Sequence, residues 1–235
     1  MMPPRPSLLR VNDGLLAGPE HRLLEWLVVR LPAWATPDRL TALGFAGALV
    51  VFGGYLIAAR YPAGLWLASA GLILNWFGDS LDGRVARRFG IQRPRYGFFL
   101  DQSIDVVSQF LYAVGIALSG YMRVEVVTLC LVAFYMMTVQ GLLRAEVTRV
   151  FNLASGGFGL TEVRCQLLAM NLIFYFVPPT PFMLGGLTLT YADILGVIWL
   201  TMNLTLYLRG MIVELRRLAR EEPVRRRSEA DSDDT

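Results

Sequence analysis

The sequence has no lysine, and every one of its 22 basic residues is arginine. It also has a single histidine, His21, which lies in the polar N-terminal region. The first absence excludes mechanisms that need a Schiff-base or P-loop lysine. The second argues against histidine ligation of a metal, or histidine acid–base catalysis, inside any buried site. Two cysteines, Cys130 and Cys165, are too few for a disulfide framework or a cysteine zinc site; both lie in or beside apolar runs and read as small buried side chains. The opening residues carry Arg5, Arg10 and Asp13 among prolines, with no apolar segment and small-residue cleavage site after them, so no signal peptide is expected. Any chemistry therefore rests on Asp, Glu, Arg and hydroxyl groups.

Apolar residues are abundant. They make up 54% of the chain, and the mean hydropathy is +0.47, above the 45–50% or so usual for a soluble domain. Residues 40–59 and 167–189 carry no charge, and 124–143 carry only Glu125. A helix needs about 20 apolar residues to cross a bilayer core, so several such runs predict an all-α integral membrane protein with six transmembrane helices. The expected spans are 38–59, 64–88, 96–119, 124–151, 161–177 and 192–220. Before them, residues 19–35 place Leu23, Leu24, Trp26, Leu27 and Leu31 near helical spacing beside Arg22 and Arg30, which predicts an amphipathic helix at the membrane surface. Residues 1–18 and the charged tail 221–235 are expected to be disordered. The six-span region, 36–220, forms one domain.

Six spans put both termini on one side. That side receives the N-terminal arginines, those of 84–95, Arg144, Arg149, Arg164 and the C-terminal cluster, whereas the other receives only Arg60 and Arg123. By the positive-inside rule both termini and the 79–105 region face the cytoplasm, and a bacterial cytoplasmic membrane is the expected location. The arginines of 216–227 suit anionic lipid headgroups, so membrane lipids are expected partners and nucleic acid is not. Thr190 and Asp193 have the spacing of a helix capping box.

Four carboxylates sit near the membrane boundary: Asp79 and Asp82, then Asp101 and Asp105. Intramembrane carboxylates are costly, which makes them functional candidates. At about 100° per residue, Asp79, Asp82, Gly83 and Ala86 share one helical stripe, and Gly97, Asp101 and Asp105 share another. A short connection makes the two helices antiparallel neighbours whose stripes can face each other. Four such carboxylates cannot all ionise unaided, and two divalent cations would neutralise them. Oxygen donors without His or Cys suit Mg²⁺, Mn²⁺ or Ca²⁺ rather than Zn²⁺. Paired cations suit phosphoryl transfer, and Gly83, Ala86 and Gly97 leave room for a nucleotide. Salt bridging to Arg84, Arg87 and Arg88 is the plain structural alternative.

The stretch Asp79-Ser-Leu-Asp82-Gly83-Arg-Val-Ala86-Arg87, nine residues, then Gly97-Phe-Phe-Leu-Asp101-Gln-Ser-Ile-Asp105 resembles the signature of the CDP-alcohol phosphotransferases at every defined position. The resemblance implies transfer of a phosphatidyl group from a CDP-alcohol, most commonly CDP-diacylglycerol, to a polar alcohol, with release of CMP in phospholipid biosynthesis. It implies that Asp79, Asp82 and Asp101 bind two Mg²⁺ or Mn²⁺ ions. Asp105 would act as general base and also touch metal. Gly83, Ala86 and Arg87 would hold the cytidine diphosphate. Pro37-Asp38-Arg39-Leu40-Thr41 is similar to the segment by which relatives reach the nucleotide, which adds Asp38 and Thr41. Family members are commonly homodimers. The choline and ethanolamine branch carries His directly after the third aspartate, where this chain has Gln102, so a transferase using diacylglycerol as acceptor is the less favoured form.

The acceptor is weakly specified. Arg144, Arg149 and Arg164 are candidates for a phosphorylated acceptor, and Glu162 for an amine or sugar hydroxyls. Positive-inside or salt-bridge roles explain the same residues. An intramembrane prenyltransferase would lack the Gly-x-x-Ala-Arg and Gly-x-x-x-Asp pattern. A cation transporter would show polar, broken helices in corresponding halves, and an inactive scaffold would be expected to lose an aspartate.

Overall fold

The computed structural model describes residues 9–11, 16–32, 34–148, 150–152, 154–155 and 158–223. Most of the ends expected to be disordered, and Arg149, fall outside them. The architecture is all-α, built on α1 (Ala17–Arg30), α2 (Pro37–Ala58), α3 (Gly64–Arg88), α4 (Pro94–Ser119), α5 (Val124–Thr148), α6 (Leu160–Phe176) and α7 (Tyr191–Glu221).

Local chemistry sets these boundaries. Thr36 caps α2 by accepting from the Arg39 amide, with Pro37 in the first turn. Pro94 opens α4, and Gly120, at φ 77°, closes it in the left-handed conformation. Thr190 and Asp193 form a reciprocal capping box on α7. The uncharged run 167–189 is not one helix. After Pro178 and Pro179 it becomes a short hairpin, Phe182–Leu184 against Leu187–Leu189, turning on Gly185 and Gly186, both at positive φ. Leu9–Val11 also pairs in parallel with Val150–Asn152.

Among the described residues three helices, α2, α5 and α7, are long and apolar enough to cross a membrane. In α3 and α4 the final or initial turns carry the aspartates and arginines, which removes apolar length from helices of 25 and 26 residues. α6 has 17 residues, short of the usual span.

The tightest packing is between α2 and α3. Gly64, Gly71 and Gly78 recur two turns apart on α3 and face Gly44, Gly47, Gly54 and their neighbours on α2. A Cβ on Gly78 would lie 2.4 Å from the Gly44 amide nitrogen, and one on Gly47 would lie 2.5 Å from that of Asn75. Backbone therefore meets backbone, as in small-residue membrane interfaces. The surrounding core holds Ala48, Val51, Tyr55, Leu65, Ala68 and Leu72, with Tyr112 and Ile116 of α4 and Phe174 of α6 packed on it. α1 buries Leu24 and Val28 against Leu40, Leu81 and Val85, and leaves Leu23, Trp26 and Val29 exposed on its outer side.

Candidate active site

The last turns of α3 and the first turns of α4 bring the aspartates together. Carboxylate oxygens of Asp79, Asp101 and Asp105 all lie within 4.8 Å of one another. Asp105 is buried and the other two are half-buried. Asp79 of the first stripe thus meets Asp101 and Asp105 of the second in one cluster. The glycine seam explains why it is held in place: Gly78, whose backbone rests on α2, immediately precedes Asp79.

Asp82 sits one turn on. It accepts the Thr41 hydroxyl at 2.5 Å and the Gly83 amide at 2.5 Å. The same hydroxyl oxygen lies 3.1 Å from the Pro37 carbonyl oxygen one turn back, the alternative acceptor for its single proton. The start of α2 therefore reaches this site through Thr41, while Asp38 forms an exposed ion pair with Arg93 instead.

Arg164 enters from α6 and is almost fully buried. Its Nη2 lies 2.8 Å from Asp79 Oδ2 and 3.9 Å from Asp105 Oδ1, and its Nε donates to Asn75 Oδ1 at 2.9 Å. Asn75 in turn donates to the Gly44 carbonyl. This chain of bonds ties α6 to α3 and α2 directly beneath the carboxylates. A buried arginine can stay charged at such a site because its partners are anionic and its donors are satisfied.

A cavity of about 280 Å³ opens over the cluster, close to the lower end of small-molecule sites. One wall carries Asp79, Asp82, Gly83, Arg87, Asp101 and Asp105. The opposite wall, from α5 and α7, carries Phe134, Met137, Trp199 and Met202, with Thr138 and Asn203 as polar points. A Cβ on Gly83 would meet only the Arg87 guanidinium at 3.6 Å, and one on Gly97 nothing within 4 Å. Both positions leave the open volume expected of them. Ala86, half-buried, follows on α3.

Of the expected acceptor residues, Glu162 and Arg164 line the cavity. Glu162 accepts the backbone amides of Gly159 and Leu16, so it caps α6 and fastens the start of α1 to it. Arg144 pairs with Glu214 at 3.3 Å. Arg149 lies outside the described residues. Two cavity features escape the sequence reading. Glu20 of α1 accepts from Trp76 Nε1 at 2.8 Å and Thr161 Oγ1 at 2.7 Å, and Arg164, in the cavity lining, engages Asp79 and Asp105. Neither contact has a local sequence signal, because each joins helices distant in the chain.

The donor chemistry fits a hard divalent cation: three convergent carboxylates, with no nitrogen or sulfur donor among the described residues. Asp79, Asp101 and Asp105 would hold it.

Comparison with known proteins agrees with the geometry. Residues 34–209 match the family model of CDP-alcohol phosphatidyltransferase. Archaetidylinositol phosphate synthase of Pyrococcus horikoshii is 36% identical over 121 residues, 52% of this chain and 61% of that protein. Phosphatidylinositol phosphate synthase of Cutibacterium acnes is 35% identical over 107 residues, 42% of this chain and 49% of its own length. Cholinephosphotransferase 1 of Homo sapiens is 32% identical over 113 residues, 46% of this chain and 28% of that protein. Each match thus spans less than two thirds of the relative.

Proposed function

The chain belongs to the CDP-alcohol phosphatidyltransferase family, and on that premise we propose that it transfers a phosphatidyl group from CDP-diacylglycerol to a polar alcohol and releases CMP. The observation that carries this reading is the convergence of Asp79, Asp101 and Asp105 at the floor of a cavity also lined by Asp82, Gly83 and Arg87.

Two divalent cations, Mg²⁺ or Mn²⁺, would neutralise the diphosphate and the charge that develops on the leaving phosphate. The residues of the chain do the rest. Gly83 and Ala86 admit the nucleotide along α3, and Arg87 meets its phosphates. Thr41 fixes the Asp82 carboxylate, which supports a role for the start of α2 at the nucleotide end. Asp105 takes the proton of the acceptor hydroxyl. The acceptor oxygen bonds to the phosphorus bearing the diacylglycerol, the bond from that phosphorus to the CMP oxygen breaks, and CMP leaves. Arg164 holds Asp79 and Asp105 from beneath throughout. The acceptor lies toward the α5–α7 wall and Glu162.

The same proposal includes six membrane-spanning helices (α2 to α7), α1 lying at the interface with Leu23 and Trp26 toward lipid, both termini and the site on the cytoplasmic face of a bacterial membrane, and a homodimer. Apolar α2, α5 and α7 support membrane integration.

The deciding assay is CMP release by purified protein in detergent with CDP-diacylglycerol and Mg²⁺ across a panel of acceptors, beside Asp105→Asn. Acceptor-dependent release is expected, reduced about 10²–10⁴-fold in the variant. Release only from CDP-choline or CDP-ethanolamine with diacylglycerol would reverse the donor assignment. No turnover and no binding of either donor would remove the catalytic reading.

A further inference from the structure

Next to the main cavity, and sharing Asp105, Gln109 and Arg164 with its lining, lies a second small pocket of about 20 Å³ whose polar lining is Asn75, Asp105, Ser108, Gln109, Tyr112 and Arg164. Three of its polar atoms, Ser108 Oγ, Gln109 Oε1 and Tyr112 Oη, are buried without a hydrogen-bond partner. Ser108 is 2% and Tyr112 8% exposed, so bulk solvent does not satisfy them. One such group costs free energy, and three around a single space demand a common explanation. The spacing from Asp105 to Ser108, Gln109 and Tyr112 continues the aspartate stripe of α4 along one helical face, deeper into the apolar layer.

The size of the pocket limits the occupant. A water needs about 10–15 Å³, and nothing appreciably larger fits here. The chemistry is equally restrictive. Two hydroxyls can donate, and the Gln109 carbonyl and Asp105 carboxylate can accept. A water accepts two hydrogen bonds and donates two, which suits these four groups, while Asn75 and Arg164, also in the lining, hold partners of their own. A monovalent cation would instead share its space with the Arg164 guanidinium.

We propose that one buried water occupies this pocket and that Ser108, Gln109 and Tyr112 act through it as positioning residues for the Asp105 carboxylate. The catalytic part of this rests on the reading of Asp105 given above. The occupied pocket braces Asp105 from the Ser108–Tyr112 side while Arg164 braces it from α6.

The test uses purified full-length protein in detergent with Tyr112→Phe, Ser108→Ala and the double variant. Melting temperature is measured without substrate, and kcat and KM for CDP-diacylglycerol are measured with Mg²⁺. Both single variants are expected to melt below wild type, because each takes a partner from the water. Each should lower kcat roughly five- to tenfold with KM changed less than about twofold, and the double should be scarcely worse than the poorer single, because both act through one water. Higher melting temperatures would show that the hydroxyls were dry orphans and overturn the proposal. So would additive losses, or a KM change as large as that in kcat. Activity lost in sodium- and potassium-free buffer and restored by either ion would replace the water with a cation. Should wild type release no CMP, the reaction reading fails, while the melting temperatures still decide whether the water is there.

Discussion

The two walls of the cavity are built differently. On the α2–α3 side, glycines meet backbone: the added Cβ of Gly47, Gly54, Gly64, Gly71 or Gly78 would fall 2.4–2.6 Å from a main-chain nitrogen of the other helix. On the α5–α7 side the close approaches are to side chains. A Cβ on Gly196 would lie 2.6 Å from a Val126 methyl, and one on Gly210 would lie 3.0 Å from Gln140 Oε1. α3, which brings two of the four aspartates, is locked to α2 by contacts that cannot rotate away. The wall of Phe134, Met137, Trp199 and Met202 is fixed by side chains that can. The difference teaches a division of labour. On the proposed function, the residues that would hold a diphosphate sit on the rigid pair, and those that would fit a particular acceptor and lipid sit opposite, where side chains can change without moving the carboxylates.

The largest effect should come from the residue that joins the rigid pair to α6. Arg164→Met removes the cation beside Asp79 and Asp105 while preserving much of its volume. Breaking a buried ionic cluster from one side costs about 3–5 kcal/mol, so the metal-free variant should melt well below wild type. Added Mn²⁺ supplies the missing positive charge, so the rise in melting temperature on titrating Mn²⁺ should exceed that of wild type. An equal or smaller rise would mean that Arg164 does not share the carboxylates with the metal.

Gly78→Ala comes next. Its new methyl meets the Gly44 nitrogen and Leu40 carbonyl oxygen at 2.4 Å, and only separation of α2 from α3 relieves the clash. Overpacking of this kind costs about 1–3 kcal/mol. Because Asp79 follows directly, Mn²⁺ affinity should fall along with stability. A variant that loses stability but binds Mn²⁺ as wild type does would uncouple the seam from the metal site.

How much of this was legible in the sequence follows from the same contrast. The four aspartates announce themselves through local spacing, since helix geometry alone puts Asp79 beside Asp82 and Asp101 beside Asp105. The helix start at Thr190 was equally local. The glycine seam had a signal that the reading did not use: Gly64, Gly71 and Gly78, two turns apart, mark a face pressed against another backbone. Arg164 was named as an acceptor candidate or a salt-bridge residue, and the partners it has could not be read locally, because its hydrogen bonds to Asn75 and Asp79 span 89 and 85 residues. The expected span 161–177 ended, as it should, before Pro178 and Pro179, but the hairpin at 182–189 was not foreseen, because it depends on Gly185 and Gly186 turning at positive φ between two short apolar runs.

The smallest effect, and the sharpest test of the contrast, is Gly196→Ala on the adjustable wall. Judged by distance alone it should resemble Gly78→Ala, since its Cβ would approach a neighbour at 2.6 Å. That neighbour is the γ-methyl of Val126, however, and the next contacts are the sulfur and terminal methyl of Met122. Methionine has three rotatable bonds and fills irregular space, and a valine methyl can move with a small shift of its helix. Alanine also favours the helix over glycine by about 0.8–1.0 kcal/mol. The two terms oppose each other, and the expected net change is within about 0.5 kcal/mol, with Mn²⁺ affinity unaltered because α7 carries none of the four aspartates. Denaturation of Gly196→Ala and Gly78→Ala side by side measures this directly. Equal losses would mean that both walls are equally rigid, and the assignment of acceptor fitting to the α5–α7 side would have to be given up.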